Sequence, residues 1–217
     1  MDGETVNRLR AEAKQSDYSS MARLAQALYA TGLTAREVLR QCYGVGLPAE
    51  VLVIVDADPY SLDTLTVFTN QPWKLAVPPE PGEPLAEADS MAPIERKLVT
   101  LDPDLLPLVS LLGHGGESDD DSLILCYRFS ELSAGRSTIF DVWRKSKRRS
   151  DVQRRGDSLL AVLHEHHTRW LNHLRSEGEQ PGSWGADTVD EERIESAREM
   201  VAQVEAMRRE LVARESG

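Results

Sequence analysis

Hydrophobic positions near the N-terminus recur at the spacing of an α-helix. They stand at i, i+3, i+4, i+7 and i+8, which places them on one apolar stripe. The positions are Met21, Leu24, Ala25, Leu28 and Tyr29. Gly32 follows the stripe and supplies a typical helix end. The N-terminal third is therefore predicted to be helical.

A second helix is indicated by its own start and stop residues. Thr34 and Glu37 have the spacing of a capping box, in which each side chain bonds the backbone N–H of the other's position. The apolar pattern continues to Tyr43, and Gly44 follows it. We expect a helix that ends at about Tyr43.

The pattern changes after this helix. Residues 51–55 are a short β-branched run, which favours either a buried strand or a helix opened by Pro48. Residues 64–69 alternate as a strand does, and residues 70–72 break the alternation. A further short strand is predicted from Trp73 to Val77.

The middle of the chain favours a small, mostly antiparallel sheet. Residues 106–112 are apolar but contain Pro107, which predicts an edge strand or the entry to a strand. Ser122–Phe129 is the strongest strand pattern, and Ser137–Trp143 is the next. The acidic, proline-rich residues 78–93 are predicted to be a surface loop or linker.

Two helical patterns follow toward the C-terminus. The first is amphipathic over residues 157–176, and the second opens at a capping box of Thr188 and Glu191 and runs almost to the end. The apolar positions of this second helix keep heptad spacing until Arg208 occupies the next position of the seam, and this run is too short to predict a coiled coil. The apolar positions are Ile194, Ala197, Val201 and Val204. This helix is expected either to dock on the main domain or to oligomerise.

These patterns predict an α+β fold with N-terminal helices, a central mostly antiparallel β-sheet, a closing amphipathic helix and a long C-terminal helix. We divide the chain into an α+β domain (1–176), a linker (177–188) and the C-terminal helix (189–217).

Composition indicates an intracellular, acidic protein. No apolar run approaches the roughly 20 residues of a membrane span, and the N-terminus lacks the apolar core of a secretory signal. Cys42 and Cys126 read as two buried thiols, with a lone disulfide as the alternative. We therefore expect a cytoplasmic protein with no membrane partner.

The net charge of −11 is unevenly spread. Residues 144–155 hold seven basic residues against one acid, so this basic segment carries +6 and the rest of the chain −17. An acidic body repels nucleic acid and attracts basic surfaces. The basic segment is either a solvated connection or, with Trp143 beside it, a surface for phosphates and stacked bases.

The residues with chemical potential do not form a complete catalytic set. His164 and His167 lie at i, i+3 on one helix, a spacing that can chelate zinc, but no third ligand can be assigned. His114 stands in a glycine-rich turn without a nameable partner. We predict no catalytic residue, no metal and no cofactor.

One stretch resembles the SUKH superfamily. The segment Tyr43–Glu50 (YGVGLPAE) is similar to the family's "G…LP.E" segment, and the order of later segments follows the family's. Those segments are Leu105-Leu-Pro-Leu, Leu125-Cys-Tyr, Thr138-Ile-Phe-Asp-Val and a closing helix on Leu159, Leu163 and Leu171. The resemblance spans residues 20–175. It implies a compact α+β domain and, since many bacterial members are immunity proteins, neutralisation of a toxin by occlusion of its active site.

The sequence thus favours a non-catalytic protein-binding module, monomeric or homodimeric, whose partner is a protein such as a basic toxin domain and not nucleic acid. The candidate partner-binding residues are Glu117, Asp119, Asp120, Asp121, Trp73, Asp56 and Asp58. The alternatives are a regulatory scaffold that oligomerises through its C-terminal helix, and a hydrolase or metal enzyme.

Overall fold

The structure, a computed structural model, describes residues 3–62, 65–79, 93–112, 122–178 and 191–216. Its helices and strands are, in chain order, α1 (Gly3–Glu12), α2 (Tyr18–Tyr29), α3 (Ala35–Tyr43), α4 (Ala49–Asp56), β1 (Thr66–Phe68), α5 (Pro93–Leu101), β2 (Leu105–Leu111), β3 (Leu123–Arg128), α6 (Phe129–Ser133), β4 (Ile139–Trp143), β5 (Gln153–Gly156), α7 (Leu159–Gly178) and α8 (Glu191–Ser216). The predicted α+β class with a long C-terminal helix is confirmed.

The strands form one antiparallel sheet whose spatial order, β1-β2-β3-β4-β5, follows the chain. Side chains alternate between its two faces. One face packs on the main hydrophobic core, to which α2, α3, α4 and α7 contribute. The opposite face packs on α5 through a smaller cluster. The sheet is therefore a central layer covered on both sides.

The sequence signals for the start and end of α3 are confirmed. The Thr34 side chain accepts a hydrogen bond from the Glu37 N–H, and a Glu37 oxygen accepts from the Thr34 N–H at 2.9 Å. Gly44 ends α3 with φ of 70°, a left-handed conformation that glycine adopts without steric cost. Residues 34–44 alone therefore contain the signals that define this helix.

Residues 51–55 belong to a helix. Pro48 precedes the first turn of α4, where its missing N–H costs nothing, and Val51, Val53 and Ile54 are buried. The helical alternative of the sequence analysis is therefore confirmed for this run, and the strand alternative is wrong.

Two of the strand predictions are wrong in detail. Residues Lys74–Ala76 form a 3₁₀ turn, not a strand, and Leu75 and Ala76 use their apolar side chains to fill the core. β2 is not an edge strand, since it lies between β1 and β3. Pro107 is tolerated because its pairing with β3 is irregular between Pro107 and Val109, and the β1 ladder begins only at Val109.

The C-terminal helix docks on the rest of the chain. α8 packs against α7 and α4, and it buries four apolar side chains. These are Ala197, Met200, Val204 and Met207. The linker prediction (177–188) falls almost wholly outside the described residues, and Thr188 of the predicted capping box lies outside them.

The connection from α6 to β4 is held by an ion pair that responds to pH. Arg136 donates to both carboxylate oxygens of Glu131 at 2.6 Å, and Thr138 donates at 3.0 Å. These contacts, Arg136 first, lower the pKa of Glu131 from 4.5 to about 2. The carboxylate is therefore bonded more favourably in the folded chain than in the unfolded one.

We expect Glu131 to contribute stability above pH 4.5 that is lost as the pH falls toward 2, because a lowered pKa means that the unfolded chain binds the proton first. Glu131→Gln should lower the melting temperature at neutral pH. The difference from wild type should shrink through this window and vanish at its acid end. A difference that stays constant with pH would contradict the assignment.

Candidate interaction surfaces

The sequence-predicted contact residues do not form one site in the described chain. Four of them lie outside the described residues: Glu117, Asp119, Asp120 and Asp121. Asp56 and Asp58 are exposed at the C-terminal end of α4. Trp73 lies in the hydrophobic core, apart from Asp56 and Asp58.

Trp73 is a core residue, so its prediction as a surface contact is wrong. Its side chain is 0% exposed, and its indole N–H donates to the Leu108 carbonyl at 2.7 Å. The Phe68 ring meets it edge to face with centroids 5.1 Å apart. A large apolar ring whose one polar atom is bonded inside the protein has no face left for a partner.

The surface at the end of α4 consists of Asp56, Asp58 and Tyr60. Arg214 near the end of α8 bonds Asp56 at 2.8 Å. Asp58 has a φ of 54°, and its carboxylate accepts from the Tyr60 N–H at 3.3 Å and from the Ser61 hydroxyl. These bonds hold an uncommon left-handed conformation that aspartate tolerates better than most residues. Both carboxylates are therefore fixed in position and face solvent.

Tyr60 adds an aromatic ring to this α4-end surface. The side chain is 49% exposed, while its hydroxyl donates to the Thr69 carbonyl at 2.9 Å beside β1. Tyrosine is enriched in protein interfaces because one rigid ring supplies apolar area at small entropic cost. An anchored ring beside two carboxylates suits a partner that presents cations.

A second surface lies at the far end of the sheet, where β4 connects to β5. The Trp143 surface consists of exposed Trp143 with five exposed cations: Arg144, Lys145, Lys147, Arg148 and Arg149. Trp143 is 49% exposed. The α5 side chain of Lys97 donates to the Arg144 carbonyl, which ties this connection to the helix on the outer face of the sheet.

The backbone of the Trp143 surface is held by defined bonds. The Arg144 N–H donates to the Ser122 carbonyl at 3.0 Å, which extends the pairing of β3 with β4. The Asp151 carboxylate accepts from the N–H groups of Lys147 and Arg148, both at 3.2 Å. One acid thus organises the turn. Of the five cations, Arg149 also donates through Nε to the Leu101 carbonyl at 3.1 Å.

The main polar cluster inside the protein is structural. Glu50, which is 3% exposed, accepts four hydrogen bonds: from the Tyr127 hydroxyl at 2.6 Å, the Ser158 hydroxyl at 2.7 Å, and the N–H groups of Leu159 and Leu160 at 2.9 and 3.2 Å. The first N–H groups of a helix have no intrahelical acceptor. Glu50 of α4 therefore caps α7 and joins both helices to β3.

Glu50 belongs to the segment Tyr43–Glu50, but no local pattern of the sequence assigned it a role. Its partners at the start of α7 lie 108–110 residues further along the chain. A local pattern carries no information about such a contact. The predicted helix began at Asp157, so the sequence offered a local carboxylate and gave no signal that α7, which begins at Leu159, is capped by Glu50.

The histidines considered for metal binding are engaged by the chain. His167 is 0% exposed, with Nδ1 at 2.6 Å from the Leu163 carbonyl and Nε2 accepting from the Leu65 N–H at 3.2 Å. This pattern assigns the proton to Nδ1 in a neutral ring. His164 instead contacts Glu205 of α8 at 3.2 Å. In the described residues, no group of three or more His, Cys, Asp or Glu side chains is arranged to hold a metal ion.

Both cysteines are free thiols, and no disulfide joins them. Burial raises the pKa of Cys42 to about 12 and raises that of Cys126 as well. A thiol with a raised pKa has little of the nucleophilic thiolate at neutral pH. The prediction of two thiols is confirmed; Cys126 is buried as predicted, whereas Cys42 is half-buried.

No family model, curated protein or solved structure matches the chain. Within the part of the chain that the structure describes, none of the helices combines the length and apolar character needed to span a bilayer.

Proposed function

We propose that this protein is a non-catalytic protein-binding module that neutralises a toxin effector by covering its active site. The observation that carries the proposal is the outward, fixed position of Asp56 and Asp58 beside the exposed Tyr60 ring. The interior carboxylate of Glu50, by contrast, is saturated by the chain's own donors. The resemblance of residues 20–175 to the SUKH superfamily supports the same proposed function.

Electrostatics favour a basic partner. Outside the basic segment the chain carries −17, and a surface of that sign attracts cationic proteins and speeds their encounter. Toxins that act on nucleic acid need a basic active site to bind phosphates. The acidic body would occupy the place of that substrate.

The scaffold alternative loses its main support in the position of α8. The apolar stripe that would have joined two copies is buried against α7 and α4 of the same chain. The metal-enzyme alternative needed the His164–His167 pair, and both nitrogens of His167 are bonded within the protein. His114 lies outside the described residues.

The proposal is tested by co-expression with the product of the neighbouring reading frame. We expect that product to stop growth when expressed alone, growth to be restored by this chain, and the two proteins to purify together. A neighbour that stays toxic in the presence of well-expressed chain, with no complex formed, would contradict the proposal.

The α4-end surface can be tested within that complex. Asp56→Asn with Asp58→Asn removes two charges and keeps side chains that can still accept the turn's hydrogen bonds. We expect the association rate to fall about 3- to 10-fold at low salt, since surface charges act mainly on encounter. Stopped-flow mixing measures the rate.

The matched control is Glu12→Gln with Glu199→Gln, which removes the same charge from exposed positions on α1 and α8. It should leave the association rate within about twofold of wild type, because distant charges are screened. Equal effects of the two double variants would show that only net charge matters and would remove the α4-end surface from the proposal.

A further inference from the structure

The Trp143 surface differs in composition from the α4-end surface and from a typical protein interface. Its exposed side chains are five cations around one aromatic ring, and Trp143 is the sole large apolar side chain exposed in the described segment 139–156. Protein interfaces are depleted in lysine and have an apolar centre. Interfaces with nucleic acid are more polar and much more positive.

From this surface we infer a second activity, independent of the proposed toxin neutralisation: Trp143 stacks on an unpaired base, and the surrounding cations hold the phosphates of a single strand. Every base has a π-face, so an exposed indole is a sequence-tolerant platform. In a duplex the bases already stack on one another, and that face is not available. The inferred ligand is therefore single-stranded nucleic acid.

The backbone that carries the Trp143 ring and the cations is held by hydrogen bonds. Trp143 ends β4 and pairs with Leu123 of β3, while the Ser146 N–H bonds back to the Trp143 carbonyl at 2.9 Å. Asp151 holds the N–H groups of Lys147 and Arg148, so its carboxylate is engaged at the turn. Little conformational freedom of the backbone remains to be lost on binding.

Neighbouring acids reduce the local charge without cancelling it. Asp102, whose side chain is 5% exposed, bonds Arg128 at 3.1 Å and lies 3.8 Å from Nε of Arg149. Asp157 bonds Arg154 at 2.5 Å. The formal charge of the segment 144–155 is +6 before these acids outside the segment are counted. At physiological salt, charges more than about 8 Å apart in solvent are largely screened, so acids beyond this distance weaken the binding of a strand at this end of the sheet without preventing it.

The experiment measures binding of a fluorescein-labelled 12-nucleotide oligothymidylate to the full chain by anisotropy. We expect micromolar affinity at 50 mM salt. If about four phosphates are neutralised, raising salt to 200 mM weakens binding roughly 50-fold. Trp143→Ala should weaken binding about tenfold at constant salt through the lost stacking. Unchanged affinity in Trp143→Ala would overturn the inference.

Charge-matched variants separate this surface from net charge. Lys147→Glu with Arg148→Glu should abolish measurable binding, whereas Arg8→Glu with Arg36→Glu, at exposed positions on α1 and α3, should change affinity by less than about threefold. Circular dichroism confirms that each variant is folded. Equal losses in the two double variants would overturn the assignment to the Trp143 surface.

Competitors identify the class of ligand. Unlabelled single strand should displace the probe at least tenfold more effectively than a duplex of equal length, polyglutamate, or vesicles containing phosphatidylserine. Displacement by polyglutamate at equal charge concentration would instead assign the surface to acidic proteins, and displacement by vesicles would assign it to membranes. Either result, or displacement by the duplex, would overturn the single-strand inference.

Discussion

Replacing Glu50 with alanine is expected to lower the free energy of unfolding by about 4 kcal/mol, because several buried donors lose their acceptor at once. The side chain is 3% exposed and accepts from Tyr127, Ser158, Leu159 and Leu160. The N–H groups of Leu159 and Leu160, both in buried residues, would lose the acceptor that they have in Glu50. Urea unfolding followed by circular dichroism gives the change.

Glu50→Gln removes the negative charge of the side chain and keeps its size and shape. The amide keeps one accepting oxygen but turns an NH₂ donor toward groups that are themselves donors, so we expect an intermediate loss of about 2 kcal/mol. Glu37→Ala is the control, since it removes a half-buried capping glutamate with no buried network around it and should cost about 1 kcal/mol or less. Equal costs for Glu50→Ala and Glu37→Ala would show that the buried network is not needed to join α4, β3 and α7.

Placing an aspartate at Val204 is expected to cost about 4 kcal/mol or more. Val204 is 0% exposed on the face of α8 that packs against the main core, and an unpaired carboxylate there must either be buried at high cost or displace the helix. The loss should appear in urea unfolding, with the mass in solution unchanged. A shift from dimer to monomer at unaltered stability would instead mean that α8 packs between two copies.

Val212→Asp makes the same chemical change eight residues further along the same helix. Val212 is 62% exposed, so this variant should stay within about 1 kcal/mol of wild type, including the unfavourable effect of an acid near a helix C-terminus. The difference between the two variants isolates burial from helix propensity. If both positions tolerate aspartate equally, α8 is not docked as described.

Elements with complete local signals could be predicted from the sequence. The start and end of α3 are encoded within the eleven residues 34–44, by the Thr34–Glu37 pair and by Gly44. The strands β3 and β4 are apolar enough to stand out against their polar flanks. Local propensity and tertiary packing agree at these positions, so a reading of the sequence alone succeeds.

Elements defined by distant partners could not be predicted in the same way. β5 has the sequence Gln-Arg-Arg-Gly and is a polar edge strand, so it lacks the alternation that marks a half-buried strand. The apolar residues after Trp73 fill the core from a 3₁₀ turn, and their composition alone does not distinguish this from a strand. α5 was different: Ile94, Leu98 and Leu101 have helical spacing after Pro93, a signal hidden by the proline-rich stretch before it.

The candidate sites show the same division. Asp56 and Asp58 were named from the sequence and lie on the surface, but sequence spacing did not show that Tyr60 and Arg214 meet them there. Trp73 was misplaced because a tryptophan beside a predicted loop resembles an interface residue, whereas its bond to the Leu108 carbonyl depends on the tertiary fold. The basic segment beside Trp143 was interpreted either as a solvated connection or as a surface for phosphates and bases, and the exposure of its side chains agrees with both alternatives.

The most direct test of the central claim is a titration of the purified chain into the purified product of the neighbouring reading frame, with the residual toxic activity measured at each molar ratio. A module that works by occlusion predicts a linear fall in activity that ends at one chain per toxin molecule, with full recovery when the complex is separated. Inactivation by a small fraction of an equivalent would mean that the chain turns over as an enzyme, and undiminished activity in molar excess would mean that it does not bind this partner. Either result would contradict the account.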